Sequence, residues 1–176
     1  MHLSNTANIA QFEDMALHPV MQETLQLMHY RTPTAIQKIV MPAVLELRDM
    51  VVSAHTGSGK TVAYLAPIFS HLMGRAHDIC APKWNPARFN PMTDAFRAEP
   101  LVLIILPTRE LAWQVFDECR RLCYRSGLRP CVAYGGGPLA EQREELLKGC
   151  DVLIATPGRL KDFLRNPRVL SLHRTR

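Results

Sequence analysis

The chain has 176 residues, 47% of them hydrophobic and 21% charged, with a formal net charge of +5. That length accommodates one α/β domain with a real core and is too short for two of ordinary size, and the composition is that of a folded rather than a disordered chain. No apolar run approaches a membrane span, and residues 1–15 have neither the basic nor the apolar region of a secretory signal. An intracellular protein of cytoplasm or nucleus, with no membrane partner, is therefore expected.

Charge and cysteines narrow the reading only slightly. Arg159, Lys161, Arg165, Arg168, Arg174 and Arg176 face Asp162 alone in residues 157–176, which accounts for the whole excess, since basic and acidic residues balance over 1–156. Such a tail either contacts phosphates or is half of a segment whose acidic continuation is missing. The five cysteines (Cys80, Cys119, Cys123, Cys131 and Cys150) are expected as reduced thiols. Cys119 and Cys123 lie one helical turn apart with no second pair at zinc-site spacing, so they read as packing residues.

In chain order, Pro19–His29 and Thr34–Leu47 are predicted as helices, the second ended or kinked at Pro42. A strand is predicted at Met50–Ala54, then a glycine-rich loop and a helix from Gly59 to about Met73. Residues 74–100 hold four prolines without a period and read as an insertion, either a flexible surface loop or a protein-partner site carrying Trp84, Phe89 and Phe96. Strands are expected at Leu101–Leu106, Pro130–Tyr134 and Asp151–Ala155. Between them lie helices Arg109–Arg125, capped by Thr108 and closed near Gly127, and Pro138–Lys148; Pro157–Leu164 follows. Each of the last two helices is expected to carry its proline in the first turn. Strand and helix in alternation argue for α/β architecture with a mostly parallel sheet flanked by helices.

The loop Ala54-His55-Thr56-Gly57-Ser58-Gly59-Lys60-Thr61, between strand and helix, has the setting and composition of a Walker A phosphate loop. Small residues let inward-facing backbone N–H groups cradle a triphosphate, and the helix N-terminus adds its positive dipole end. Lys60 would bring a point charge to the β and γ phosphates of ATP, and Thr61 a hydroxyl to Mg²⁺. Ala54 stands where the general pattern has glycine.

Around this loop the chain resembles the DEAD-box family of ATP-dependent RNA helicases over roughly residues 12–165. His29-Tyr30-Arg31-Thr32-Pro33-Thr34-Ala35-Ile36-Gln37, with Phe12 upstream, is similar to the Q motif; Pro107-Thr108-Arg109-Glu110-Leu111-Ala112, Gly135-Gly136 and Thr156-Pro157-Gly158-Arg159 follow in family order. The resemblance implies an incomplete RecA-like (P-loop NTPase) domain over residues 12–176, after an N-terminal extension 1–11. It implies adenine reading by Gln37, whose amide donates and accepts in one plane, with Phe12 stacked on the base. It assigns Pro107, Thr108, Arg109, Gly135, Gly136, Thr156, Pro157, Gly158 and Arg159 to the sugar–phosphate backbone of RNA, with the 2′-hydroxyl distinguishing it from DNA. Thr108 and Thr156 would cap helices there, and the two glycines would let backbones approach. An internal salt bridge is the alternative for Arg109. His29 stands where the family usually has glycine; if that position needs positive φ, histidine carries some strain.

The family's acidic Asp-Glu-Ala-Asp strand, its Ser-Ala-Thr motif and the second RecA-like domain with its arginine finger do not occur in these 176 residues. An arginine finger alone is worth about 10³–10⁵ in turnover, so the chain by itself is expected neither to hydrolyse ATP nor to unwind RNA. The resemblance also places the absent strands beside Met50–Ala54, which would then present an open apolar edge. The expectation is an incomplete gene product. The alternatives are a short natural form that binds RNA, nucleotide or a helicase partner without catalysis and, more distantly, a DNA-directed or unrelated P-loop enzyme.

Overall fold

The three strands that form a sheet are apolar runs, and the central one is covered on both faces, as its unbroken apolar sequence requires. A computed structural model describes residues 9–81, 90, 93 and 95–175. These fall into two compact units, 9–76 with 121–127, and 77–120 with 128–175; Trp84 and Phe89 lie outside the described residues.

The first unit is helical. After a 3₁₀ turn at Phe12–Asp14 come α1 (Pro19–Leu27), α2 (Ala35–Leu45) and α3 (Lys60–Met73). Met21, Leu25, Met41, Leu65 and Phe69 are fully buried among them. Helix α2, expected to end or kink at Pro42, does not end there but continues to Leu45, with Glu46 N–H reaching the Pro42 carbonyl at 3.0 Å. A proline so close to a helix end removes one backbone bond, and the buried neighbours Val40, Met41 and Ala43 hold the last turn. His29 closes α1 at φ 61°, the left-handed conformation anticipated from its glycine-like position.

The expected strand Met50–Ala54 is not a strand. It pairs with none of the described strands, and Val51 is 100% exposed. Strand conformation is stabilised by a neighbour's hydrogen bonds and packing; β-forming residues do not supply these alone.

The second unit carries a parallel sheet of β1 (Val102–Ile105), β2 (Pro130–Ala133) and β3 (Val152–Ala155) in the order β1-β3-β2. All four residues of β3 are 0% exposed. Leu153 and Ala155 pack into a core with Leu160 and Phe163 of α7 (Pro157–Leu164), Leu146 of α6 (Leu139–Leu147), and Val169 and Leu170. Helix α5 (Arg109–Leu122) follows β1 and begins in this unit. Pro157 occupies the first turn of α7 as expected, whereas Pro138 precedes α6 as its N-cap. The α/β, parallel-sheet class read from the sequence therefore stands.

The insertion 74–100 begins with a short helix, α4 (Ala76–Ile79), and its described ends are tied to the strand-start edge of the sheet. Ala81 N–H donates to Asp151 Oδ1 at 2.7 Å, and Arg129 N–H to the other carboxylate oxygen at 2.8 Å. Returning, Phe96 N–H bonds the Leu147 carbonyl, and Ala98 pairs with Leu170 in a parallel bridge. The Arg174 guanidinium reaches the Ile79 carbonyl, and the Thr175 hydroxyl the Pro100 carbonyl. Part of the basic tail thus serves the fold. No described helix is long and apolar enough to cross a membrane.

Candidate functional site

In the first unit the glycine-rich loop enters α3 through Gly59, the N-cap, at φ 88°, with Gly57 at φ 79°. Both are in the left-handed region that glycine adopts without strain. No side chain caps α3, so its first-turn amides are offered at the loop. Lys60 Nζ donates to the carbonyls of Ala54 and His55, the latter at 2.7 Å, so binding a phosphate means exchanging these acceptors. Thr61 is half-buried in the first turn of α3, and Thr56 is exposed in the loop. Ser58 Oγ is buried and has no hydrogen-bond partner among the described residues. An orphaned hydroxyl beside uncapped amides fits a polyanion that would engage both.

The Q-motif residues brace this loop. Thr34 caps α2 and donates its hydroxyl to the Ser58 carbonyl at 2.8 Å. Gln37, 2% exposed, accepts from Thr34 N–H at 2.9 Å and donates to the Gly59 carbonyl at 3.3 Å. A Cβ on Gly59 would lie 2.6 Å from the Gln37 amide nitrogen. The amide expected to read adenine is therefore engaged with the protein's own backbone. Phe12, expected to stack on the base, is also 2% exposed and packs in the helical core; an aromatic at that spacing serves the core at least as readily as a ligand.

In the second unit three motifs meet along one rim. Ile105 and Ala133 both pair in register with Ala155. The residues just beyond these strand ends, Pro107-Thr108-Arg109, Gly135-Gly136 and Thr156-Pro157-Gly158-Arg159, thus emerge side by side at the carboxyl edge of a parallel sheet, the edge at which such sheets bind ligands. Thr108 caps α5, accepting Leu111 N–H at 3.3 Å. Thr156 holds the N-cap position of α7 but makes no cap bond; its hydroxyl accepts Gly135 N–H at 3.3 Å and stitches two motifs together.

The two arginines behave differently. Arg109 is exposed, lies 4.9 Å over the Tyr134 ring, and has no ion-pair partner among the described residues, so the internal salt bridge is not formed there. Arg159, expected to supply charge to the RNA backbone, is 8% exposed and donates to the Gly137 carbonyl at 3.0 Å. Its Nε and Nη1 are buried without hydrogen-bond partners among the described residues, with Asp162 3.9 Å from Nε. Burying a guanidinium with donors unsatisfied costs stability.

The glycines divide by purpose. Gly136 takes φ 77°, which its backbone requires. Gly135 and Gly158 have ordinary φ, and no atom lies within 4 Å of the Cβ each lacks. The space a side chain would fill at those two positions is open.

The sequence reading missed the support beneath the rim. Buried Gln142 accepts Tyr134 N–H at 3.0 Å and donates to the Tyr134 carbonyl at 3.2 Å, fixing the residue before the glycine pair. A Cβ on Gly137 would lie 2.6 Å from the Tyr134 ring. The available signal was a glutamine and Leu146 at the two buried positions of α6, four apart. Cys119 and Cys123 are both buried, as packing residues should be, and burial pushes the Cys119 thiol up to about 12. With this geometry in view, a family model described as DEAD/DEAH box helicase matches residues 34–175.

Proposed function

The chain belongs to the DEAD/DEAH box helicase family, and from that premise we propose that it forms two binding surfaces of an ATP-dependent RNA helicase. Residues 54–61 take the phosphates of ATP, and the strand-end motifs take the sugar–phosphate backbone of RNA. The register of β1 and β2 on β3 carries the second assignment, because it aligns three separate motifs at one rim.

At the first surface, the α3 amides and Lys60 Nζ hold phosphate oxygens, and the Ser58 hydroxyl gains the partner it lacks within the described chain. Thr61 is the Mg²⁺ residue; the ion, when bound, neutralises charge on the β and γ phosphates. Adenine selection falls to Gln37, which must exchange part of its bonding to Thr34 and Gly59 for the base. Phe12 takes part only if its ring leaves the core.

At the second surface, Arg109 supplies an accessible charge and Thr108 a helix N-terminus. Gly135 and Gly158 leave room for a backbone to approach, and the unpartnered donors of Arg159 favour an incoming phosphate. Contacts of this kind fix position without reading sequence. These 176 residues, which contain no Asp-Glu-Ala-Asp, are expected on their own to bind nucleotide and RNA with hydrolysis near background. RNA-stimulated phosphate release by the purified polypeptide would refute that.

Two variants test the division. Lys60→Ala should weaken ATP binding about tenfold to a hundredfold, the equivalent of about 1.5–3 kcal/mol, and leave RNA affinity at the wild-type value. Arg109→Ala should weaken RNA binding, lower the salt-dependence slope by about one, and leave ATP affinity alone. Equal losses of both ligands in either variant would defeat the two-surface assignment.

A further inference from the structure

A row of side chains on α5 is absorbed neither by the core nor by the contacts above. Arg109, Trp113, Phe116 and Arg120 follow at intervals of four, three and four, the spacing that lines one helix face. Tyr134, beside the glycine pair, inserts into that row. The Arg109 guanidinium is 4.9 Å from the Tyr134 ring centre, and Tyr134 is 5.5 Å from Trp113. Trp113 meets Phe116 edge-on at 5.5 Å, and the Arg120 guanidinium lies 5.8 Å from Phe116. Cation, three rings and cation thus form one continuous stack.

Exposure singles out one member. Tyr134 is 9% exposed, whereas Trp113 is 39% exposed. Trp113 thus leaves part of its indole open to solvent while Tyr134 and Phe116 hold it from two sides. The stack begins at Arg109, whose Nη1 lies 4.0 Å from the Cβ position of Gly136, so it is continuous with the rim. Asp117 is 3.7 Å from Arg120 and screens the far cation, which leaves Arg109 as the end that attracts an anionic strand. Aromatic faces flanked by arginine suit unpaired nucleobases of any identity.

We propose that Trp113 is a stacking platform for an unpaired base of the RNA strand held at the rim. This rests on the RNA reading of the strand-end motifs and adds a base contact that backbone recognition does not supply. It favours strands with a free base at that position over fully paired ones, without regard to which base it is.

The probes are a short oligouridylate and an abasic oligoribonucleotide of equal length and charge. They are titrated into the full chain carrying Trp84→Phe, which leaves Trp113 as the sole tryptophan. Oligouridylate should quench Trp113 fluorescence and bind about tenfold more tightly than the abasic strand. In the otherwise wild-type chain, Trp113→Leu keeps an apolar side chain against Tyr134 and Phe116 but removes the ring, and should erase the preference while preserving abasic affinity. Trp113→Phe should restore part of it. A preference that survives in Trp113→Leu, or none in the parent, overturns the platform while leaving the backbone site intact. No binding of either strand overturns the RNA reading and the platform with it.

Discussion

The glycine-rich loop 54–61 and the strand-end rim each carry a sequence motif, yet they are held in place by different means. The rim stands on three strands that bond one another, with β3 wholly buried between its neighbours. Its motifs are further joined by the Thr156–Gly135 bond, the Arg159–Gly137 bond and the Gln142 clamp on Tyr134. The glycine-rich loop is entered by no strand among the described residues: Val51 is fully exposed, and the side chains bonded to the loop are those of Thr34, Gln37 and its own Lys60. A motif states what chemistry a segment is suited to perform. It does not state what holds the segment still.

Substitutions can break or sharpen this contrast. The largest effect is expected from Ile154→Ala in the middle of β3, which removes a fully buried side chain and should cost about 2–5 kcal/mol in urea denaturation. Asp151→Asn should cost about 1–3 kcal/mol, because both carboxylate oxygens accept backbone N–H groups and an amide offers only one acceptor.

The same residue gives a smaller, pH-dependent signature. Burial raises the Asp151 carboxyl above its ordinary 3.8, outweighing the N–H donors from Ala81 and Arg129 that lower it. A raised carboxyl pKa means that the folded state binds the proton more tightly than the unfolded state does. Its contribution to stability is therefore full below 3.8 and declines as pH rises through the raised value. Unfolding midpoints measured upward from that pH should show this slope in the wild type and not in Asp151→Asn. Smallest of all, Val51→Lys should change stability by no more than about 0.5 kcal/mol, as at any fully exposed site. A loss as large as that of Ile154→Ala would show that Met50–Ala54 is packed in solution and would collapse the distinction.

What could be read from the sequence follows the range of the interactions involved. Helices α1, α3 and α5, and the three paired strands, are set by local periodicity, caps and apolar runs, and they appear within a few residues of expectation. The left-handed turn at His29 was legible because one residue position carries the whole requirement. Met50–Ala54 failed because a strand depends on partners that its own sequence does not specify. At the rim, neither the exposure of Arg109 nor the inward turn of Arg159 was fixed by sequence, since the first depends on Tyr134 and the second on Gly137 and Phe163, partners set by the fold. Gln142 escaped notice because it contacts no ligand-like group; it acts on the backbone of another residue.

The fastening of residues 77–81 and 96–100 to the strand-start edge has a consequence for how this chain can vary. Both stems leave from the end of the sheet away from the rim, separated from it by four-residue strands, or about 13 Å. Any change of length between the stems therefore enters at the edge of the sheet opposite the rim, whose own geometry rests on the bonds among Thr156, Gly135, Arg159, Gly137, Gln142 and Tyr134.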